Sequence, residues 1–256
     1  FFLWTPAEFR DLLGEQDGGL IGAYYGVEEG GNFSVAGGHF EKGKSHLRVV
    51  LEPALFARQR GLEPGDFSAR LAAARKKLFE ARERRVRPHR DDKVLAAWNG
   101  LMISALAKGG AALGEPVYTR AAEEAAGFIL ENMQEKGRLL RRWRDGEARL
   151  PAYSEDYAFL ASGLFDLYEA SFNAQWLEES LRLSKEMIRL FWDEKGGGLF
   201  FSGRDGEELI SQSKELYDGA LPSGNSVAAL VLLRLSQATQ DRGLGDRAQA
   251  LLKAFG

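Results

Sequence analysis

Three stretches of the sequence gather residue types able to move protons and hold a polar ligand. The first is "RPHRDDKVLAAWNG", residues 87–100, where Arg87, His89, Asp91 and Asp92 precede Trp98 and Asn99. The second is "YSEDY", residues 153–157, where Glu155 and Asp156 lie between Tyr153 and Tyr157. The third is "YDGALPSGNS", residues 217–226, with Asp218, Ser223 and Asn225. Each carries an acid and an aromatic ring. Carboxylates transfer protons and rings stack on the apolar faces of sugars, so the pairing points to a small-molecule or saccharide ligand. On that reading His89, Asp91, Asp92, Glu155, Asp156 and Asp218 are the acid/base candidates. Trp98, Tyr153 and Tyr157 would stack on a sugar, and Arg87, Asn99, Ser223 and Asn225 would bind its polar groups. The plainer reading makes Asp91, Asp156 and Asp218 helix caps, Trp98 a core residue and the Ser-Gly-Asn-Ser cluster an elaborate cap. For any one acid alone capping is the commoner role; recurrence at three equivalent places favours the ligand.

Those stretches need elements to position them. The pattern predicts a strand over Phe1–Trp4 and a short helix over Glu8–Leu13, opened by Thr5-Pro6 and ended by Gly14. Residues 17–46, rich in glycine, read as loop with short strands, and Leu47–Leu51 as a further strand candidate. Apolar positions at helical spacing then predict a helix over Asp66–Arg85, with Phe67, Leu71, Ala74 and Leu78 inward. Beyond it, helices alternate in type. Val94–Leu113, Asp156–Ser171 and Ser223–Gln240 are apolar-rich and read as buried on most sides, whereas Val117–Met133, Ala174–Trp192 and Gly245–Phe255 are amphipathic.

Residues 137–147 match residues 197–207 at a constant offset of 60, both ending in an Asp-Gly turn that reads as a β-hairpin. The repeat is therefore a buried helix, an outer helix and a hairpin. Simple bundles and open solenoids are the alternatives, but repeats near 60 residues with hairpin inserts fit a toroid better. The expected fold is all-α, a partial (α/α)6 toroid with short β-hairpin insertions, as one domain over 1–256. Residues 1–65 form its strand- and loop-rich leading part and 66–256 its helical hairpins. The starts of the inner helices would then meet at one mouth.

Other chemistries find little support. There is no cysteine, which excludes disulfides, thiolate zinc sites and a cysteine nucleophile. Histidine occurs only at 39, 46 and 89, without HExxH, EF-hand or Walker A spacing, so no metal or other cofactor is expected. The glycines do not form GxGxxG, no GxSxG surrounds a serine, and the net charge of −3 gives no reason to expect nucleic acid. The arginine cluster at 82, 84, 85, 87 and 90 encloses Glu83 and precedes Asp91 and Asp92, which reads as cross-paired surface. No run approaches membrane length and no signal peptide is visible, so a cytoplasmic location without membrane contact is expected. The chain starts without Met and stops within a helical pattern, as a piece of a longer protein would.

"RPHRDDKVLAAWNGLMISALA" (87–107), "YSEDYAFLASGLFDLYE" (153–169) and "YDGALPSGNSVAALVLLRL" (217–235), with "FFLWTPAEFRDLLG" and "YYGVEEGGNF" before them, resemble the YyaL family. These are the bacterial relatives of spermatogenesis-associated protein 20. The resemblance implies a thioredoxin-like domain ahead of an (α/α)6 toroid similar to six-hairpin glycosidases and to N-acylglucosamine and cellobiose 2-epimerases. The activity it implies is that of a sugar epimerase, isomerase or glycoside hydrolase. A non-catalytic module attached to the thioredoxin-like domain is the alternative. The cysteine-bearing domain and the family's early toroid motifs are not in this sequence.

Overall fold

The computed structural model describes residues 1–32, 43–206 and 211–255, and 61% of these described residues are helical. His39, the end of the glycine-rich stretch over 33–42, and Glu207 in the second repeat segment lie outside the described residues. The chain divides into two compact units, Phe1–Arg90 and Asp91–Gly256.

In the first unit β1 (Leu3–Trp4) pairs antiparallel with β2 (Ser45–His46). Helix α1 (Pro6–Leu13) starts in a full capping box: the Thr5 hydroxyl accepts from the Glu8 amide at 3.2 Å, and the Thr5 amide donates to the Glu8 carboxylate at 2.8 Å. Gly14, at φ 84°, ends it. The glycine-rich stretch departs from expectation, because Glu15–Tyr24 is a helix, α2, and not loop. The reason is packing: a Cβ at Gly18 would come 2.7 Å from the Arg10 Cα, so the glycine lets α2 lie directly on α1. Leu47–Leu51 is likewise not a strand; the Arg48 and Val50 amides donate instead to Tyr25 and Tyr24 carbonyls at the end of α2. After the short α3 (Pro53–Gln59) comes α4 (Pro64–Glu83), which buries Phe67, Leu71, Ala74 and Leu78 as its spacing predicts. Trp4, Phe9, Ile21, Tyr24, Phe56 and Ala57 pack into the same core.

The second unit is built from α5 (Ala96–Leu113), α6 (Pro116–Asn132), α7 (Ser154–Ser171), α8 (Ala174–Phe191), α9 (Gly224–Thr239) and α10 (Arg242–Phe255). Helix α7 packs between α5 and α9 as inner helices, and α6, α8 and α10 back them in turn. This is the architecture of an (α/α)6 toroid segment. Helix α7 is buried along nearly its whole length, whereas α5 and α9 each have one inner neighbour. That corrects the expectation that α5 is buried on most sides. It buries Ala96, Ala97, Gly100, Ile103, Ala107 and Gly110, while Trp98 is 61% and Met102 56% exposed. Helices α5 and α7 touch backbone to backbone: a Cβ at Gly100 would come 2.5 Å from the Leu160 nitrogen.

Val94–Leu95 is a short strand, β3, ahead of α5, and β4 (Gln134–Glu135) follows α6. Both pair antiparallel with β5 (Arg138–Arg144), which also pairs with β6 (Glu147–Pro151). The β5–β6 turn has φ 54° at Asp145 and 81° at Gly146, the two positive angles a tight hairpin needs. The second predicted hairpin differs. Among its described residues only a bridge, Trp192 to Leu199, forms. There the Phe200 and Arg204 amides donate to the carbonyls of Phe191 and Leu190, so the segment closes onto the end of α8.

Candidate functional site

The starts of α5, α7 and α9 meet, and one carboxylate ties two of them together. Asp156, in the first turn of α7, is fully buried. One of its oxygens accepts from the Ala97 amide in the first turn of α5 at 3.1 Å. The other accepts from the Tyr153 amide at 2.8 Å and from the Arg141 guanidinium at 3.2 Å. Burial raises its pKa to about 6, against the opposite pull of the Tyr153 amide and Arg141. Gly224 brings α9 onto the same place; a Cβ there would lie 3.1 Å from the Glu155 backbone.

Around this junction the sequence candidates fall into separate roles. Glu155, half-buried, accepts from Arg141 at 3.0 Å. The Tyr153 ring stacks on Phe201 at 4.4 Å between centroids and lies under the Arg141 guanidinium at 4.7 Å. Trp98, the residue after Ala97, has the most exposed ring of the three expected sugar platforms near the junction. Asn99 donates its amide to the Leu95 carbonyl at 2.9 Å, a bond within its own helix start.

Tyr157 is not placed to stack on a ligand. Its ring is fully buried against Phe191, and its hydroxyl accepts from the Leu139 amide and from Arg138, both at 2.9 Å. Burial pushes its pKa up to about 12. Asn225 is also internal. Its side chain clasps both backbone groups of Leu199, at 2.8 and 3.0 Å, and the Glu215 carbonyl at 2.9 Å. Ser223 caps α9 by accepting from the Ser226 amide at 3.1 Å. Asp218 accepts from the Ser223 amide at 2.7 Å and the Ser226 hydroxyl at 3.1 Å, bonds that hold its carboxyl below the usual range. Asp91 is exposed and pairs with Lys93 at 3.1 Å, which lowers its pKa; Asp92 is exposed too. Arg87 and His89 belong to the first unit and are exposed, and Arg87 pairs with Glu83 one helical turn earlier.

Two groups were not singled out from the sequence. Arg141 and Phe201 both lie against Tyr153, and the repeat offset of 60 equates their positions, a signal the alignment already held. Farther along the inner helices Asp166 is buried in α7. It pairs with Lys108 of α5 at 2.8 Å and Arg234 of α9 at 2.7 Å, and accepts from Ser104 of α5. Lone polar residues inside otherwise apolar helices are the sequence signal for that network. Among the described residues no cluster of three or more His, Asp or Glu is placed to hold a metal ion. No helix of the described residues is long and apolar enough to cross a membrane.

No family model matches the chain. Solved structures give the fold: a cellobiose 2-epimerase from Bacillus thermoamylovorans superposes with TM-score 0.54 at 18% identity, over 66% of this chain and 46% of that one. A GH76 alpha-mannanase from Bacteroides thetaiotaomicron gives 0.53 at 17% identity, over 65% and 45%. Human spermatogenesis-associated protein 20 is 38% identical over 278 aligned positions, covering 100% of this chain and 35% of the relative. The chain thus spans about a third of the length of the curated relatives it matches. Its alignment to those relatives over its whole length makes the chain part of a member of the spermatogenesis-associated protein 20 family.

Proposed function

We propose that the junction of α5, α7 and α9 forms one wall of a saccharide site in a carbohydrate-active (α/α)6 domain. The supporting observation is the division of labour between neighbouring acids. Asp156 is consumed in fixing two helix starts, and this leaves Glu155, half-buried and held by Arg141, as the carboxyl able to reach a ligand. Trp98 is the stacking platform, Arg141 binds hydroxyl oxygens, and Glu155 moves the proton. Asp218, Ser223 and Asn225 shape the α9 side of the mouth through their caps. Epimerisation and hydrolysis both need a second proton-transfer group, which on this reading comes from outside these 256 residues.

The fold's solved neighbours include a 2-epimerase and a mannanase, which supports the substrate class and not a particular reaction. A binding module without turnover, serving a thioredoxin-like domain of the full-length protein, is the second reading. It is favoured by the use of Asp156 and Asp218 as caps. A mono- and disaccharide panel on the full-length protein separates the two. The catalytic reading expects product from at least one sugar, and a Glu155→Gln variant that still binds it while turnover falls by about 10²-fold or more. Binding without product supports the module, and no binding across the panel overturns both.

A further inference from the structure

The first unit holds a cavity of about 290 Å³ whose walls are Trp4, Tyr25, Leu78 and Phe79, with Arg75 and Arg82 beside them. Arg75, Leu78, Phe79 and Arg82 recur at helical spacing on one face of α4, so a single helix supplies two cations and an apolar floor. Neither guanidinium is satisfied by a carboxylate in the usual way. Arg75 donates through Nε to the Tyr25 hydroxyl at 2.7 Å, and among the described residues no acid pairs with it. Arg82 lies over the Phe79 and Phe1 rings, at 5.3 and 5.5 Å. Its Nε is buried without a hydrogen-bond partner, and its ion pair with the Glu83 carboxylate is a long one, at 3.9 Å. The buried Arg82 donor without an acceptor is costly, and the more exposed Arg75 sets a second positive charge beside the same aromatic cavity.

The geometry points to a binding site for a small monocarboxylate with an aromatic or alkyl body. The carboxylate would accept from Arg82 and from the free arm of Arg75, and its body would fill the space against Trp4, Leu78 and Phe79. A planar carboxylate matches the guanidinium fork, while the apolar walls penalise a more highly charged anion. The volume is at the small end of ligand pockets, about 300–1,000 Å³, which suits a ligand of roughly a dozen heavy atoms. The inference rests on neither the saccharide reading nor its residues.

The test is titration of the whole chain with phenylacetate, its neutral analogue phenylacetamide, and inorganic phosphate, followed by backbone amide chemical shifts. Saturable phenylacetate binding with a Kd on the order of millimolar is expected for so few atoms. Shifts should centre on Trp4, Tyr25 and α4, with phenylacetamide about tenfold weaker or worse for want of the charge-assisted bonds. Arg82→Gln should weaken phenylacetate by about tenfold or more without changing phenylacetamide affinity. Phe79→Ala, at an exposed wall position that the fold does not depend on, should weaken both ligands. Equal binding of acid and amide, tighter binding of phosphate, or no binding of phenylacetate would each overturn the assignment.

Discussion

Asp156 shows how a residue with the chemistry of a catalytic acid can be spent on architecture. Its two oxygens meet two backbone amides and a guanidinium, all donors, yet burial still lifts its pKa from 3.8 to about 6. The folded chain therefore holds this proton more tightly than the unfolded chain does. Stability should fall as pH rises from about 4 to about 6, then stay at the lower level, a loss on the order of 2–3 kcal/mol at most. Urea unfolding at a series of pH values checks this against Asp156→Asn, which has no proton to lose there. The wild type should lose more stability than the variant across that window; parallel curves would show that Asp156 is ionised throughout. The adjacent Glu155 differs by one position in sequence and, in structure, by a half-buried carboxylate that is paired with Arg141. Nothing in "YSEDY" distinguishes the two acids, since the Ala97 amide that claims Asp156 is 59 residues away.

Among the elements, α5 and α7 owe their close approach to two glycines, Gly100 and Gly163, that put backbone against backbone. Gly100→Ala should cost about 3 kcal/mol in denaturant unfolding, because its Cβ meets the main chain of Phe159 and Leu160, which cannot rotate away. Gly109→Ala, on the same helix with nothing within 4 Å of the added atom, should instead stabilise by about 0.5–1 kcal/mol. The six hairpin helices were legible from periodicity alone, and their observed bounds lie within a few residues of the expected ones. The α4 face was legible too, down to its four inward residues. What periodicity missed, it missed for physical reasons. Glycine in α2 signals a helix contact as readily as a loop, and only the partner helix decides between them. Trp98 and Tyr157, both stacking candidates in the sequence, part for a similar reason, one exposed and one buried: a helical stripe shows that a face is apolar, not whether a neighbour covers it.

For the whole molecule, the three inner helices are joined at two levels. Asp156 ties the starts of α5 and α7, with α9 brought against them at Gly224, and Asp166 ties all three farther along, holding Lys108 and Ser104 of α5 and Arg234 of α9. Asp166→Ala should cost roughly 1–3 kcal/mol by thermal or denaturant unfolding, because it removes the buried acceptor of Ser104, Lys108 and Arg234 and leaves Arg234 with only the more exposed Glu169 carboxylate. A loss below about 0.5 kcal/mol, the usual size of a surface change, would mean that the network contributes nothing. On the proposed reading the mouth carries the half-buried Glu155 and the open Trp98 indole beside these ties. The claim that this mouth takes saccharides is tested most directly by measuring the affinity of the full-length protein for a bound sugar before and after Trp98→Ala. Because the indole is 61% exposed, its removal should leave the unfolding midpoint unchanged while weakening the sugar by about tenfold, the 1.4 kcal/mol a stacking ring supplies. A sugar that binds Trp98→Ala as tightly as the wild type would place its site elsewhere and contradict the account.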